Sequence, residues 1–94
     1  MKGIFIFDPA DEIYKDHFPA CPVVPGSMIV NAFMEAGRKN GLAGPSCGIA
    51  NFKFRRFISP GNYPYCMEPV RDGIKCFLYE DGDVVASGKI ANEA

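Results

Sequence analysis

The chain has 94 residues, 48% hydrophobic and 22% charged, with a formal net charge of −1. That length makes one small domain, residues 1–94, with a single core that is marginal alone, which favours oligomers. The composition excludes disorder, and the charge balance gives no attraction for nucleic acid or an anionic membrane. No apolar run reaches the about 18 residues that span a bilayer. The apolar stretch after Met1 is too short for a secretory signal, so the chain reads as cytoplasmic.

The Ile- and Phe-rich segment Lys2–Phe7 predicts a short strand, ended by Asp8-Pro9, and the polar stretch 11–16 a loop or single turn. The run from His17 to Gly26 holds Pro19, Pro22 and Pro25, each of which fixes φ, so it predicts a rigid loop. A helix follows, starting near Pro25 or Ser27, with Ser27 as its cap, and stopping at Lys39-Asn40-Gly41. Met28, Ile29, Val30, Ala32, Phe33, Met34 and Ala36 leave it little polar face, which predicts a buried helix.

Residues 42–47 read as a loop and 48–59 as a strand, followed by a turn at Pro60-Gly61-Asn62. In that strand Phe52, Phe54 and Arg56 fall on one side and Lys53, Arg55 and Phe57 on the other. Residues 63–69 predict a third strand, confined to an edge or to its ends by Pro64 and Pro69. Residues 74–79 and 84–91 predict two more strands, joined into a hairpin by Asp81-Gly82-Asp83. One strand, a helix and a four-strand meander make an α+β layout in which an antiparallel sheet wraps one helix. Cys21, Cys47, Cys66 and Cys76 contain no Cys-x-x-Cys pair and the chain has one histidine, so the thiols read as reduced and packed, with no metal site.

The lone histidine carries the chemistry. The prolines hold His17 rigidly next to a helix N-terminus, whose unpaired N–H groups suit an oxygen that is or becomes negative. A base and an oxyanion donor are thereby brought close together. Asn31 and Glu35, four residues apart, share one polar stripe of an otherwise apolar helix; extended to Arg38, that stripe reads equally as a solvent-facing one. The aromatic and basic residues between Phe52 and Phe57 read as a sheet strand with snorkelling arginines rather than a nucleic-acid stack.

His17-Phe18-Pro19, then Pro22-Val23-Val24-Pro25-Gly26 and an apolar helix, resembles the signature of the FabA/FabZ-type β-hydroxyacyl-acyl-carrier-protein dehydratases, which have the hot-dog fold. Residues 54–62 are similar to that family's strand and turn after the helix, and Asp81-Gly82-Asp83-Val84-Val85-Ala86 to its final hairpin. The resemblance implies a dehydratase or hydratase of fatty-acid or related acyl metabolism. Its substrate is a 3-hydroxyacyl thioester on acyl carrier protein or coenzyme A, with no separate cofactor.

It further implies that His17 is the catalytic base and acid, that the Gly26 N–H polarises the thioester carbonyl, that the Val23 carbonyl orients the imidazole, and that Phe18, Val23 and Pro25 contact substrate. The family's helix acid, given by the other subunit of a dimer, falls on Asn31, and Glu35 stands where the family usually has glutamine. Ala20 replaces a usual glycine, and the family's N-terminal helix and strand are largely missing. Asparagine holds a hydroxyl or water but transfers no proton, so Glu35 is a candidate displaced acid. Two other readings stand beside the dehydratase homodimer, or higher oligomer of dimers. One is a thioesterase using Glu35; the other is a non-catalytic acyl-binding subunit, or a heterodimer with an acid-bearing paralogue.

Overall fold

The computed structural model describes residues 1–10, 23–41 and 48–91. The readings of 11–16 and 42–47 as loops, and those on His17, Phe18, Pro19, Ala20, Cys21, Pro22 and Cys47, lie outside the described residues. The elements in chain order are β1 (Lys2–Phe7), α1 (Gly26–Lys39), β2 (Gly48–Phe54), β3 (Gly61–Val70), β4 (Gly73–Glu80) and β5 (Asp83–Ala91). All five strands form one antiparallel sheet in the order β1-β3-β4-β5-β2, with α1 against one face.

The order corrects the expectation of a four-strand meander. Only β3, β4 and β5 follow one another; β2 pairs with β5 at the far edge, so the chain crosses the sheet between β2 and β3. The β2 strand also ends at Phe54 rather than at 59, and β3 starts at Gly61, inside the expected turn. Tyr63 pins that crossing segment by donating its hydroxyl to the Ser59 carbonyl at 2.5 Å.

The prolines of β3 sit where sheet geometry tolerates them, although the strand is interior. Met1 and Met67 exchange both main-chain hydrogen bonds at 2.7 Å, so the odd residues of β3 direct their N–H groups toward β1 and the even ones toward β4. Pro64 therefore faces the β4 side, where pairing begins only at Tyr65, and Pro69 faces the β1 side, beyond the pairing of Lys2 with Cys66. Each missing donor falls where a neighbour has run out.

The β4–β5 turn is a two-residue hairpin with Glu80 opposite Asp83, and both turn residues have positive φ, 51° at Asp81 and 84° at Gly82. That is the mirror-image turn which an Asp-Gly pair predicts. In β2 one extra residue is inserted between Ala50 and Lys53 relative to β5, and Asn51, at φ 56°, absorbs it. Within this bulge the Phe52 ring lies over Gly88, where an added Cβ would come within 2.4 Å of it.

The core lies between α1 and the inner face of the sheet. Phe33 is fully buried and central, with Phe5 edge-on at 4.9 Å and Tyr65 and Phe52 each at 6.0 Å. Met67, Cys76, Leu78 and Ile90 close the layer beneath. Only Ile29, Phe33, Met34 and Gly37 of the helix are buried, whereas Ser27, Asn31, Glu35 and Arg38 are exposed. Within one protomer α1 is thus amphipathic, which corrects the expectation of a helix buried on nearly every side. It stops as expected, with Asn40 donating its N–H and side-chain amide to the Ala36 carbonyl at 3.2 and 2.8 Å, and Gly41 at φ 72°.

Cys66 and Cys76 are free and buried, and burial pushes the Cys76 thiol up to about 12. Because the raised pKa belongs to the folded state, stability is intact below the unfolded thiol value and falls as pH rises toward about 12. Cys76→Ala is predicted to lack that share of the decline, seen as a shallower fall of unfolding free energy between about pH 9 and 11 in urea titrations. Phe33→Ala is predicted to cost about 3–5 kcal/mol by removing a buried ring.

Candidate active site

The helix start is built by proline and left open. Pro25 is the N-cap, at φ −61° and ψ 143°, with no side-chain cap. Its carbonyl accepts from Met28 N at 3.0 Å and Ile29 N at 3.3 Å. Among the described residues the N–H groups of Gly26 and Ser27 find no acceptor, and no acidic side chain occupies the first turn. Two donors and the positive end of the helix dipole are therefore available to an outside oxygen. Ser27, expected as the cap, is instead an exposed second helical residue.

One backbone hydrogen bond sets this terminus in place. Val24 N donates to the Ile58 carbonyl at 2.9 Å, and both residues are buried, joining the segment before α1 to the one after β2. Between the two segments lies a cleft of about 460 Å³ lined by Val23, Gly26 and Ser27 on one side and Phe54, Arg56 and Phe57 on the other. Gly26 suits this closeness: a Cβ there would lie 3.0 Å from the Phe54 ring, which would have to give by a few tenths of an ångström.

Arg56 is the charged side chain of the lining, and the β4–β5 hairpin neutralises it. Its Nε lies 3.3 Å from the Glu80 carboxylate, one terminal nitrogen donates to the Glu80 carbonyl at 3.2 Å, and the same nitrogen is 3.7 Å from Asp83. With its head held by acids, Arg56 offers the cleft mainly its stem. The arrangement suits an uncharged chain ending in an oxygen that meets the Gly26 and Ser27 N–H groups.

Of the residues singled out from sequence, Val23, Pro25 and Gly26 meet at this cleft. Asn31 and Glu35 do not line it. They continue the exposed line of Ser27 along α1 at one and two turns, without side-chain partners among the described residues. His17 and Phe18 lie outside the described residues. Sequence reading missed the contribution of Phe54, Arg56 and Phe57, because it continued the strand alternation past Phe54, where the strand ends and Arg56 and Phe57 both reach the cleft. Phe57, 87% exposed, is a signal in hindsight, as an aromatic next to Pro60-Gly61 that no core position claims.

Comparison with known proteins agrees with this architecture. The ApeI-like family, described as ApeI dehydratase, matches residues 2–89. The chain is 32% identical over 107 aligned positions to the 3-hydroxyacyl-[acyl-carrier-protein] dehydratase FabZ of Shewanella amazonensis, covering 96% of this chain and 68% of the relative. The FabZ of Shewanella loihica matches at the same identity and coverage. Among solved structures, the dehydratase heterocomplex ApeI:P from Xenorhabdus doucetiae superposes with a TM-score of 0.79 at 21% identity, over 96% of this chain and 83% of that one. The sheet wrapped on one helix is thus a hot-dog fold, and the chain belongs to the ApeI-like dehydratase family.

Proposed function

We propose that the protein is a hydro-lyase that binds a 3-hydroxyacyl thioester with its carbonyl oxygen at the Gly26 N–H and removes water across C2 and C3. The observation that carries this reading is the apolar cleft ending at two N–H groups without acceptors. His17 takes the C2 proton; the electron pair passes through the thioester enolate, whose charge the helix start stabilises, and returns to form the C2=C3 bond as the C3–O bond breaks. The imidazolium returns its proton to the departing hydroxide, giving water and the enoyl thioester. The chain's residues suffice for this balance, so no cofactor is invoked. The acyl group rides on acyl carrier protein or coenzyme A, whose pantetheine arm has the uncharged length that the cleft suits, with Phe18, Val23 and Pro25 contacting it.

The site is completed by a second subunit in this reading. Asn31 and Glu35 stand on the open face of α1, the outer edge of β2 has no partner among the described residues, and Phe54 and Phe57 are 46% and 87% exposed there. A subunit on this face would cover them and bring one chain's Asn31 toward the other's His17, where its amide positions the leaving hydroxyl. Because asparagine supplies no proton, a second reading pairs the chain with a paralogue that carries a carboxylate at this position. In this reading the enzyme works in the cytoplasm, where its thiols stay reduced.

Turnover of a 3-hydroxyacyl thioester, followed by enoyl absorbance, tests the assignment. His17→Ala is predicted to lose about 10²–10⁴-fold in kcat, and full activity in that variant overturns it. Release of free thiol from the same substrate without loss of the hydroxyl marks a thioesterase instead. If the site spans two copies, mixing inactive His17→Ala and Asn31→Ala proteins restores about a quarter of wild-type sites, since half the dimers are mixed and each holds one intact site. No recovery on mixing, with subunit exchange verified, contradicts a site shared between copies.

A further inference from the structure

The sheet has a second open edge, remote in strand order from the one next to the cleft. β1 pairs only with β3, and nothing among the described residues covers its other side. By the alternation set at the Met1–Met67 pair, Gly3, Phe5 and Phe7 direct their main-chain groups to β3, while those of Lys2, Ile4 and Ile6 point outward. The side chains of the latter three lie on the face away from α1, where Ile4 is 64% and Ile6 74% exposed. A flat apolar edge of this kind is a template for strand pairing.

The edge is complementary to itself. In alternating positions the exposed face reads Lys2, Ile4, Ile6 and then Asp8, the exposed residue after the strand. In reverse the same line reads acid, isoleucine, isoleucine, base. An antiparallel copy centred on Phe5 sets Lys2 against Asp8 and Ile4 against Ile6, each twice by symmetry. This register also places outward-facing main-chain groups opposite outward-facing ones, as antiparallel pairing requires. Slipping by two residues in either direction centres the pairing on Ile4 or Ile6 and breaks the Lys2–Asp8 match.

We propose that the β1 edge is an isologous interface between two copies of this chain, in the register that pairs Lys2 with Asp8 and Ile4 with Ile6. This interface is separate from the cleft and from the subunit contact at β2, and does not depend on the enzymatic reading.

Sedimentation equilibrium of the full chain tests it, with circular dichroism confirming that each variant is folded. Ile6→Lys, which puts a charge at the centre of the apolar pair, is expected to halve the assembly mass. The mass falls from tetramer to dimer if the β2 contact also exists, and from dimer to monomer if it does not. Lys2→Asp and Asp8→Lys alone set like charges opposite one another and are each expected to weaken association by at least about tenfold. The double swap is expected to restore it. Asp8 also accepts from the Ala10 N–H at 2.8 Å, but the double variant lacks that bond as well, so recovery reports the charge pair alone. An Ile6→Lys mass equal to wild type overturns the proposal, and so does a double swap that stays dissociated.

Discussion

The Val24 N–H to Ile58 carbonyl bond is the constraint on which the rest of the site depends. It joins two segments that approach the helix N-terminus from opposite ends of the fold, one leading into α1 and one leaving β2. Both residues are nearly inaccessible, so the bond forms where water competes poorly and where an unmade partner would cost about 1–3 kcal/mol. With that tie in place, Pro25 caps the helix, Gly26 meets the Phe54 ring, and the N–H groups of Gly26 and Ser27, both residues of the cleft lining, have no acceptor among the described residues. The same tie holds the two largely apolar walls of the cleft against each other.

The protomer has the economy of a half-structure. Among the described residues one helix covers one face of five strands, and Phe33 and its ring neighbours supply a single core with no second layer behind it. No charged or polar side chain of the described residues is buried in that core. Asn31 and Glu35 are on the exposed face of α1, and chemistry there that excludes water would need that face covered. Among the described residues both outer strands, β1 and β2, have an unpaired edge, and the association proposed above would give such a small domain further burial and the site a roof.

Local features were legible in the sequence because their causes are local. Lys2–Phe7, the stop at Asn40-Gly41 and the Asp81-Gly82 hairpin follow from residue preferences over a few positions, and the structure has each. The pairing of β2 with β5 was not legible, since the partner residues lie 32 to 43 positions on and nothing local to either strand selects the other. The Asn51 bulge was hidden for the same reason: one inserted residue leaves alternation intact on either side. Pro64 and Pro69 signalled an edge, and the edges exist, but as staggered ends of neighbouring strands around an interior one. At the site, proline and glycine around Gly26 pointed to the helix start, whereas the opposing wall of Phe54, Arg56 and Phe57 emerges only when β2 stops and the chain turns across the cleft.

The proposed dehydration requires an acyl thioester to bind with its oxygen at the start of α1. Amide chemical-shift mapping of 15N-labelled protein titrated with a 3-hydroxybutyryl-pantetheine thioester measures this directly, with His17→Ala used to prevent turnover. Binding at the helix start is expected to move the Gly26 and Ser27 amides most, together with those of Val24, Phe54 and Ile58. Saturable shifts confined to the outer face of the sheet, with Gly26 and Ser27 unmoved, would contradict it.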